Sequence, residues 1–369
     1  MPIATNRASQ LAGGYAIELN GVSAGWVYSA AGGSAAADVV PEKIGPDRIV
    51  RKHIANVKYE DITIQCGTAM TKDFYDWIAA TLELKLARMN GAIIITDDKN
   101  QPATRLEFYN GLITEVSFPA LDASSNDPGM LTIKITPERT QYNRNPSFAG
   151  GGSIPLPVKL APRWVCSNFR LQIAGLDCSK VAKIDSFTIR QAVVADAIGQ
   201  LRDYEKVPTN LEIPNLAITL AESQADTFYD WHQDFVINGN NGRDKQKNGT
   251  LEILSPNLQD VIFRLTLNHL GIFRLRDDVQ QAGSGNIRRV RAELFCEEMY
   301  LDAPAASIGE GQKTAPATSE PAKTEDSRSR APVPSVARSG VPSAISPLST
   351  PLAPSLPARD MTRSLRFRT

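Results

Sequence analysis

The sequence predicts a mainly β protein of the α+β class that contains two tandem copies of one domain. Apolar residues alternate with polar ones along most of the chain, which is typical of strands with one buried face. The tetrad Phe74-Tyr75-Asp76-Trp77 recurs as Phe228-Tyr229-Asp230-Trp231, at an offset of 154 positions (228 minus 74). A length of 369 residues is sufficient for two domains and a remainder.

The duplication extends well beyond the tetrad. At the same offset, residues 15–77 align with 169–231 without a gap and give 14 identities in 63 positions. After the tetrad the offset drifts by a few residues, so that Asn90-Gly91 matches Asn248-Gly249. Self-similarity at a fixed spacing indicates a tandem repeat of one structural unit.

Both copies are predicted to consist mostly of strands with a period of two. The predicted strands of the first copy are 15–19, 62–66, 92–96, 105–109, 112–118 and 131–135. Those of the second copy are 169–173, 216–220, 251–254, 261–267, 271–275 and 290–300. Asn110-Gly111 is predicted to form a turn between two strands of the first copy.

One helix per copy is predicted around the tetrad. Phe74, Trp77 and Ile78 stand at positions i, i+3 and i+4, which predicts one apolar stripe against a sheet. Thr71 and Ser223 are the expected N-cap residues. Trp77 and its counterpart Trp231 are expected to be core anchors, since aromatic residues at helical spacing usually face the core.

The chain is predicted to have five segments. They are an N-terminal arm (1–13), the first copy (14–142), a Gly/Pro-rich linker (143–165), the diverged second copy (166–303) and a Pro/Ser/Ala-rich tail (304–369). The tail holds ten of the 24 prolines and one aromatic residue, Phe367. Such a segment buries too little apolar surface to offset the entropy of ordering it, so it is predicted to be disordered.

Composition and motifs exclude several functions. Forty basic and 40 acidic residues give zero net charge, which disfavours a nucleic-acid partner. The three histidines lie outside any catalytic motif, and the four cysteines stand too far apart for a zinc site. We therefore expect no enzyme activity and no catalytic, cofactor-binding or metal-binding residues. We also expect no export signal and no membrane partner, because no apolar run approaches ~20 residues.

The first copy carries a further series of motifs. A strand at 58–64 precedes the tetrad helix, the Asn-Gly pairs follow, and Leu121-Asp-Ala-Ser-Ser-Asn126 leads to Thr136-Pro-Glu-Arg139. In this order and spacing, residues 14–140 resemble the tail tube protein family of contractile-tailed phages and contractile injection systems. The second copy keeps the tetrad and the strand rhythm, but residues 279–285 replace the Ala-Ser-Ser-Asn signature.

The resemblance implies a fold and an assembly. Each copy would be a β-sandwich or barrel of two packed antiparallel sheets with one flanking helix. It would also have a long loop between early strands, here 29–53 and 183–207. Six such domains would form a non-enzymatic ring by continuing their sheets, and rings would stack into a tube. The implied partners are further copies and tube, sheath, baseplate or spike proteins. The protein would be made in the bacterial cytoplasm and assembled into a phage tail or injection particle.

The duplication leaves three assemblies open. Three chains could imitate a sixfold ring, as an adaptor between the tube and a threefold spike or hub. Six chains could instead stack their two copies along the axis, as in a tube subunit or tube initiator. From a different class, the protein could be a carbohydrate- or cargo-binding β-sandwich protein, which an exposed aromatic row would favour.

We predict that truncation after Ala303 leaves folding intact, because the predicted tail lacks apolar periodicity. Thermal unfolding of the full and truncated chains should give the same midpoint. A fall of several degrees in the truncated chain would contradict the prediction of a disordered tail.

Overall fold

The computed structural model describes residues 13–43, 45, 49–68, 70–97, 102–143, 164–196, 203–277 and 287–302. All of them fall within one compact unit. The predicted tail, nearly all of the arm and most of the linker lie outside the described residues. Their predicted properties and the segment boundaries stay predictions.

The first copy contains eleven strands and one helix. They are β1 (Gly14–Leu19), β2 (Val22–Val27), β3 (Ser29–Gly32), β4 (Ala35–Glu42), β5 (Arg51–Tyr59), β6 (Ile62–Cys66), α1 (Lys72–Leu82), β7 (Met89–Thr96), β8 (Pro102–Phe118), β9 (Leu121–Asp122), β10 (Leu131–Thr136) and β11 (Arg139–Asn143). The second copy has eight described strands, and its last strand corresponds to both β10 and β11.

The elements of the second copy follow in the same order. They are β12 (Phe169–Ile173), β13 (Val181–Ile184), β14 (Phe187–Asp196), β15 (Glu205–Glu212), β16 (Leu216–Ala221), α2 (Asp226–His232), β17 (Lys247–Leu254), β18 (Val261–Asp277) and β19 (Arg289–Asp302). Helix α2 continues as one π-helical turn at Gln233–Ile237, and 3-10 turns lie at Glu222–Gln224 and Arg243–Lys245. The predicted mainly β fold is confirmed.

The duplication is visible in the pairing of individual residues. The sheet order β1-β7-β8-β10-β6-β3 in the first copy corresponds to β12-β17-β18-β19-β16-β13 in the second. In the β4–β5 hairpin Val39 pairs with Ile54, and in β14–β15 Val193 pairs with Pro208. Both pairs follow the offset of 154 and adjoin the same irregularity of register. The two hairpins are therefore equivalent residue by residue.

The predicted turn at Asn110-Gly111 is wrong, because β8 runs through it as one strand of 17 residues. Asn110 takes a positive φ of 51°, and its backbone N–H donates to Oδ1 of Asn90. The equivalent His269 has a φ of 57° and donates its N–H to Asn248. This kink lets one strand pair with β7 in its first half and with β10 in its second.

The implied long loops at 29–53 and 183–207 contain regular strands. In the first copy these are β3, β4 and the start of β5, and all eight residues of β4 are exposed. Because neither face of this hairpin packs on the core, its sequence lacks the one-sided apolar pattern by which a strand is recognised.

The helix packs as predicted, but the caps differ. Phe74, Trp77 and Ile78 are all buried. Thr71 is the N-cap of α1 without a capping side-chain hydrogen bond, and the N-cap of α2 is Ala225 in place of the predicted Ser223. The 3-10 turn at Glu222–Gln224 occupies the residues before α2 and moves its start.

We predict that Trp77→Phe destabilises the chain more than Trp231→Phe does, by about 1 kcal/mol. Both indoles are buried, but Trp77 Nε1 donates to the carbonyl of Ala87 at 2.8 Å. Trp231 Nε1 has no hydrogen-bond partner among the described residues. The two substitutions remove the same volume, so urea unfolding compares an indole that has a hydrogen bond with one that has none. Equal losses of stability would contradict this account.

Candidate assembly interface

The two copies join through continuous β-pairing, which we call the in-chain seam. Strand β14 of the second copy pairs antiparallel with the second half of β8, so that Phe187 lies opposite Phe118 and Ile189 opposite Val116. Strand β9 of the first copy pairs with β13 of the second. The ten-stranded sheet therefore contains strands from both copies.

The buried part of this seam is aromatic. Phe118 stacks on Phe187 with ring centroids 4.8 Å apart, and Phe263 lies 6.2 Å from Phe118. Trp164, just before β12, meets Phe263 edge-on at 5.3 Å. Its backbone carbonyl accepts a hydrogen bond from the N–H of Gly129. The residues before β12 are thus held against the first copy, and one apolar core continues across both copies.

A polar group completes the seam at the tip of the β14–β15 hairpin. Arg88 Nη2 donates to Glu205 Oε1 at 2.7 Å and to the carbonyl of Lys206 at 2.8 Å. Its Nε lies 3.7 Å from Glu138, which in turn accepts the backbone N–H of Lys206. Burial lowers the pKa of the Lys206 ammonium, and the charges of Asp61 and Glu138 oppose that effect. One cation of the first copy thus lies between acidic groups of both copies.

Charged residues also line the sheet face at the seam. Glu115 lies 3.5 Å from Lys134 and 3.8 Å from Arg190 of the second copy, and Lys134 lies 3.4 Å from Asp61. They border an open cleft of about 440 Å³. Because both signs alternate along it, the cleft presents no field of a single sign.

The counterparts of the seam strands lie at the exposed ends of the chain. The N-terminal hairpin, β4–β5, is equivalent to β14–β15 but pairs with no other strand in the described part of the chain. The C-terminal edge, residues 271–277 of β18, is equivalent to the half of β8 that receives β14. Over the described residues it pairs with β19 alone. Phe273 is 39% exposed, whereas its counterpart Thr114 is buried.

Burial raises the pKa of all four cysteine thiols, each of which lies in the described part of the chain. Burial raises the pKa of the Cys66 thiol to about 12, so the thiolate nucleophile is absent near neutral pH. In the ranges that the structure describes, no group of three His, Cys, Asp or Glu side chains could hold a metal ion. No described helix is long and apolar enough to cross a membrane.

Sequence reasoning did not identify the residues of the in-chain seam. Arg88, Glu205 and Trp164 stand in no motif. The alignment of the two copies gives one signal, since Arg88 differs from its counterpart Gln246. Trp164 falls in the expected linker, just outside the aligned range, and gives no such signal.

We predict that Gly129→Ala destabilises the chain by ~1–3 kcal/mol, because a Cβ at Gly129 would lie 2.3 Å from the Trp164 ring. The same change in a Trp164→Ala background should cost much less, which a double-mutant cycle measures. Gly67→Ala is the matched control, since a Cβ there meets nothing within 4 Å. Equal costs in the two backgrounds would remove Trp164 from the seam.

Comparison with known proteins gives one family and several structures. Residues 15–141 match the model of the T4-like virus tail tube protein gp19 family. No curated protein matches the chain. A cryo-EM structure of the anti-feeding prophage cap, the AFP tube terminating cap, is 18% identical with a TM-score of 0.35, over 39% of this chain and 99% of that one.

Two further structures are similar at the same level. The sheath-tube complex of the extracellular contractile injection system PVC is 17% identical with a TM-score of 0.34, over 38% of this chain and 94% of that one. Hcp1 from Flavobacterium johnsoniae is 14% identical with a TM-score of 0.25, over 36% and 96%. The resemblance inferred from the sequence is confirmed over the first copy, because residues 15–141 match the model of the T4-like virus tail tube protein gp19 family.

Proposed function

We propose that this protein is a non-enzymatic structural component of a contractile phage tail or a phage-derived injection system. Its chains would join head to tail into a ring with a continuous β-sheet. The observation that carries the proposal is the pairing of β14 with β8, by which one copy already extends the sheet of the other. The same two surfaces occur once more in each chain, as the N-terminal hairpin and the C-terminal edge.

The equivalence of the copies defines the pairing between chains. The hairpins are related by an offset of 154, and β8 is related to β18 by an offset of 159 (264 minus 105). Transferring the pair Ile189–Val116 gives Ala35 opposite Leu275, and transferring Arg190–Glu115 gives Ala36 opposite Arg274. We call this the between-chain seam. It covers strand edges that would otherwise invite uncontrolled pairing.

Three chains would complete such a ring. The two surfaces of one chain differ, so their contact is heterologous and closes only when the rotations add up to a full turn. The tail tube resemblance implies six domains per ring, and each chain supplies two. The proposed role is an adaptor between the hexameric tube and a threefold spike or hub, within an assembled particle. The partners would be tube, sheath, baseplate or spike proteins.

The alternatives receive less support. In a tube subunit or tube initiator with stacked copies, the copies would occupy different layers, whereas β14 extends the sheet of the first copy sideways. A carbohydrate- or cargo-binding protein would present an aromatic row. Of the four tryptophans, Trp77, Trp164 and Trp231 are buried, and Trp26 is half-buried.

We predict that the purified chain forms a trimer in solution. Native mass spectrometry should give three chains, and electron-microscope class averages should show six lobes in one layer. Six chains with the copies stacked along the axis would overturn the adaptor role and leave the structural class intact. A monomer at all concentrations would overturn the ring.

Replacing residues 37–57 by a short Gly-Ser turn should give a folded monomer, since this part of the N-terminal hairpin holds no buried residue among those described. Its thermal midpoint should match that of the full chain at a concentration where the full chain is monomeric, because association stabilises the folded state. A shortened chain that still formed trimers would contradict the role of the hairpin.

A further inference from the structure

We infer that charged residues at the two kinds of seam determine which copy meets which. This inference rests on the proposed ring and adds to it the chemistry that selects the partner surface. Within the chain, the receiving copy supplies the cation Arg88, which binds Glu205 of the hairpin. Between chains, the cation stands on the other side of the seam, as Arg51 of the hairpin.

The hairpin-tip group gives the first step. The group consists of Arg88, Glu138 and Glu205. The counterpart of each residue in the other copy lies at an offset of 154 for the hairpin, 158 for the strand after the helix (248 minus 90) and 159 for β19. Glu205 becomes Arg51 and Arg88 becomes Gln246, whereas Glu138 is kept as Glu297. At the between-chain seam, the hairpin therefore carries a positive residue in place of a negative one, and the receiving copy lacks the cation. Each seam retains one cation beside one conserved glutamate.

In the second copy, the counterparts of Arg88 and Glu138 contact each other. Gln246 Nε2 donates to Glu297 Oε1 at 3.0 Å, and Glu297 is exposed. Arg243 also lies 3.5 Å from Glu297, through a side chain that is 67% exposed and can turn to solvent. Docking of the N-terminal hairpin would bring Arg51 to Glu297 as the docked hairpin brings Glu205 to Arg88.

The charged residues on the sheet face beside the seam give a second, independent argument. In the first copy Glu115 pairs with Lys134, while in the second copy the polarity is reversed: Arg274 lies 3.4 Å from Glu293. The hairpin residue that approaches this pair is Arg190 within the chain, beside Glu115. Its counterpart between chains is Ala36, which carries no charge to oppose Arg274.

These differences in charge disfavour the two ways in which a hairpin could dock on the wrong copy. An N-terminal hairpin that docked on the first copy of another chain would bring Arg51 against Arg88. A β14–β15 hairpin that docked on the C-terminal edge would bring Arg190 against Arg274 and Glu205 against Glu297. Like charges placed together in a covered contact disfavour that contact strongly, so the two seams alternate around the ring.

The experiment measures chain–chain association by native mass spectrometry and analytical ultracentrifugation. Arg51→Glu and Glu297→Arg should each weaken association at least about tenfold. The double variant in one chain restores an opposite pair at every between-chain seam, so it should associate within about threefold of the wild type. Lys72→Glu is the charge-matched control. Its ion pair with Asp76 lies on the exposed face of α1, and the substitution should leave association unchanged.

A mixture of the two single variants tests the ring itself. Arg51→Glu chains and Glu297→Arg chains satisfy each other only in alternation, and three chains cannot alternate around a closed ring. The mixture should therefore yield two-chain species but few closed trimers. Full recovery of closed trimers in the mixture would contradict the pairing of Arg51 with Glu297.

Thermal midpoints of the monomers show that each variant folds, and Arg51→Gln gives a smaller change of charge at the same position. If the wild type forms the ring but Glu297→Arg assembles as tightly, or the double variant is not restored, the inference fails and the proposed function stands. If the wild type never assembles, both fail.

Discussion

The half of β8 that follows Asn110 is the element on which the rest of the structure depends. Its backbone can pair on two sides, and β10 occupies only one of them. In the first copy, β14 covers the other side and joins the two copies into one sheet. The equivalent half of β18 leaves that side open among the described residues. In the proposed ring, this open edge and the matching hairpin would make the chain a building block for a larger sheet.

The two seams would differ in character as well as in position. The in-chain seam buries the Phe118–Phe187 stack and the Trp164 indole, as a domain core does. The between-chain seam would place Ala35 opposite Leu275 and Ala36 opposite Arg274. Its one aromatic residue on the receiving edge would be Phe273, so its selectivity would rest mainly on charge. Salt should therefore weaken the contact between chains while leaving the chain itself folded.

Much of this fold can be predicted from the sequence. Strands such as β1, β6 and β10 have one buried face, so apolar and polar residues alternate in their sequences. The aromatic stripe of α1 predicts the helix. The exposed β4–β5 hairpin gives no such signal. Asn110-Gly111 is typical of a turn, yet here its positive φ serves a kink inside a strand. The seam itself joins residues that are far apart in the sequence, such as Arg88 and Glu205 at 117 positions, and only the folded chain brings them together.

The covalent connection between the copies also changes how such an assembly would form. Two domains on one chain meet at an effective concentration in the millimolar range, whatever the amount of protein in the cell. In a ring of six domains, half of the contacts would then form during folding, and only the other half would depend on collisions between chains. Closing the ring would require three chains to associate, whereas a ring of single domains would require six. A component needed in few copies per particle could thereby close its ring at low abundance.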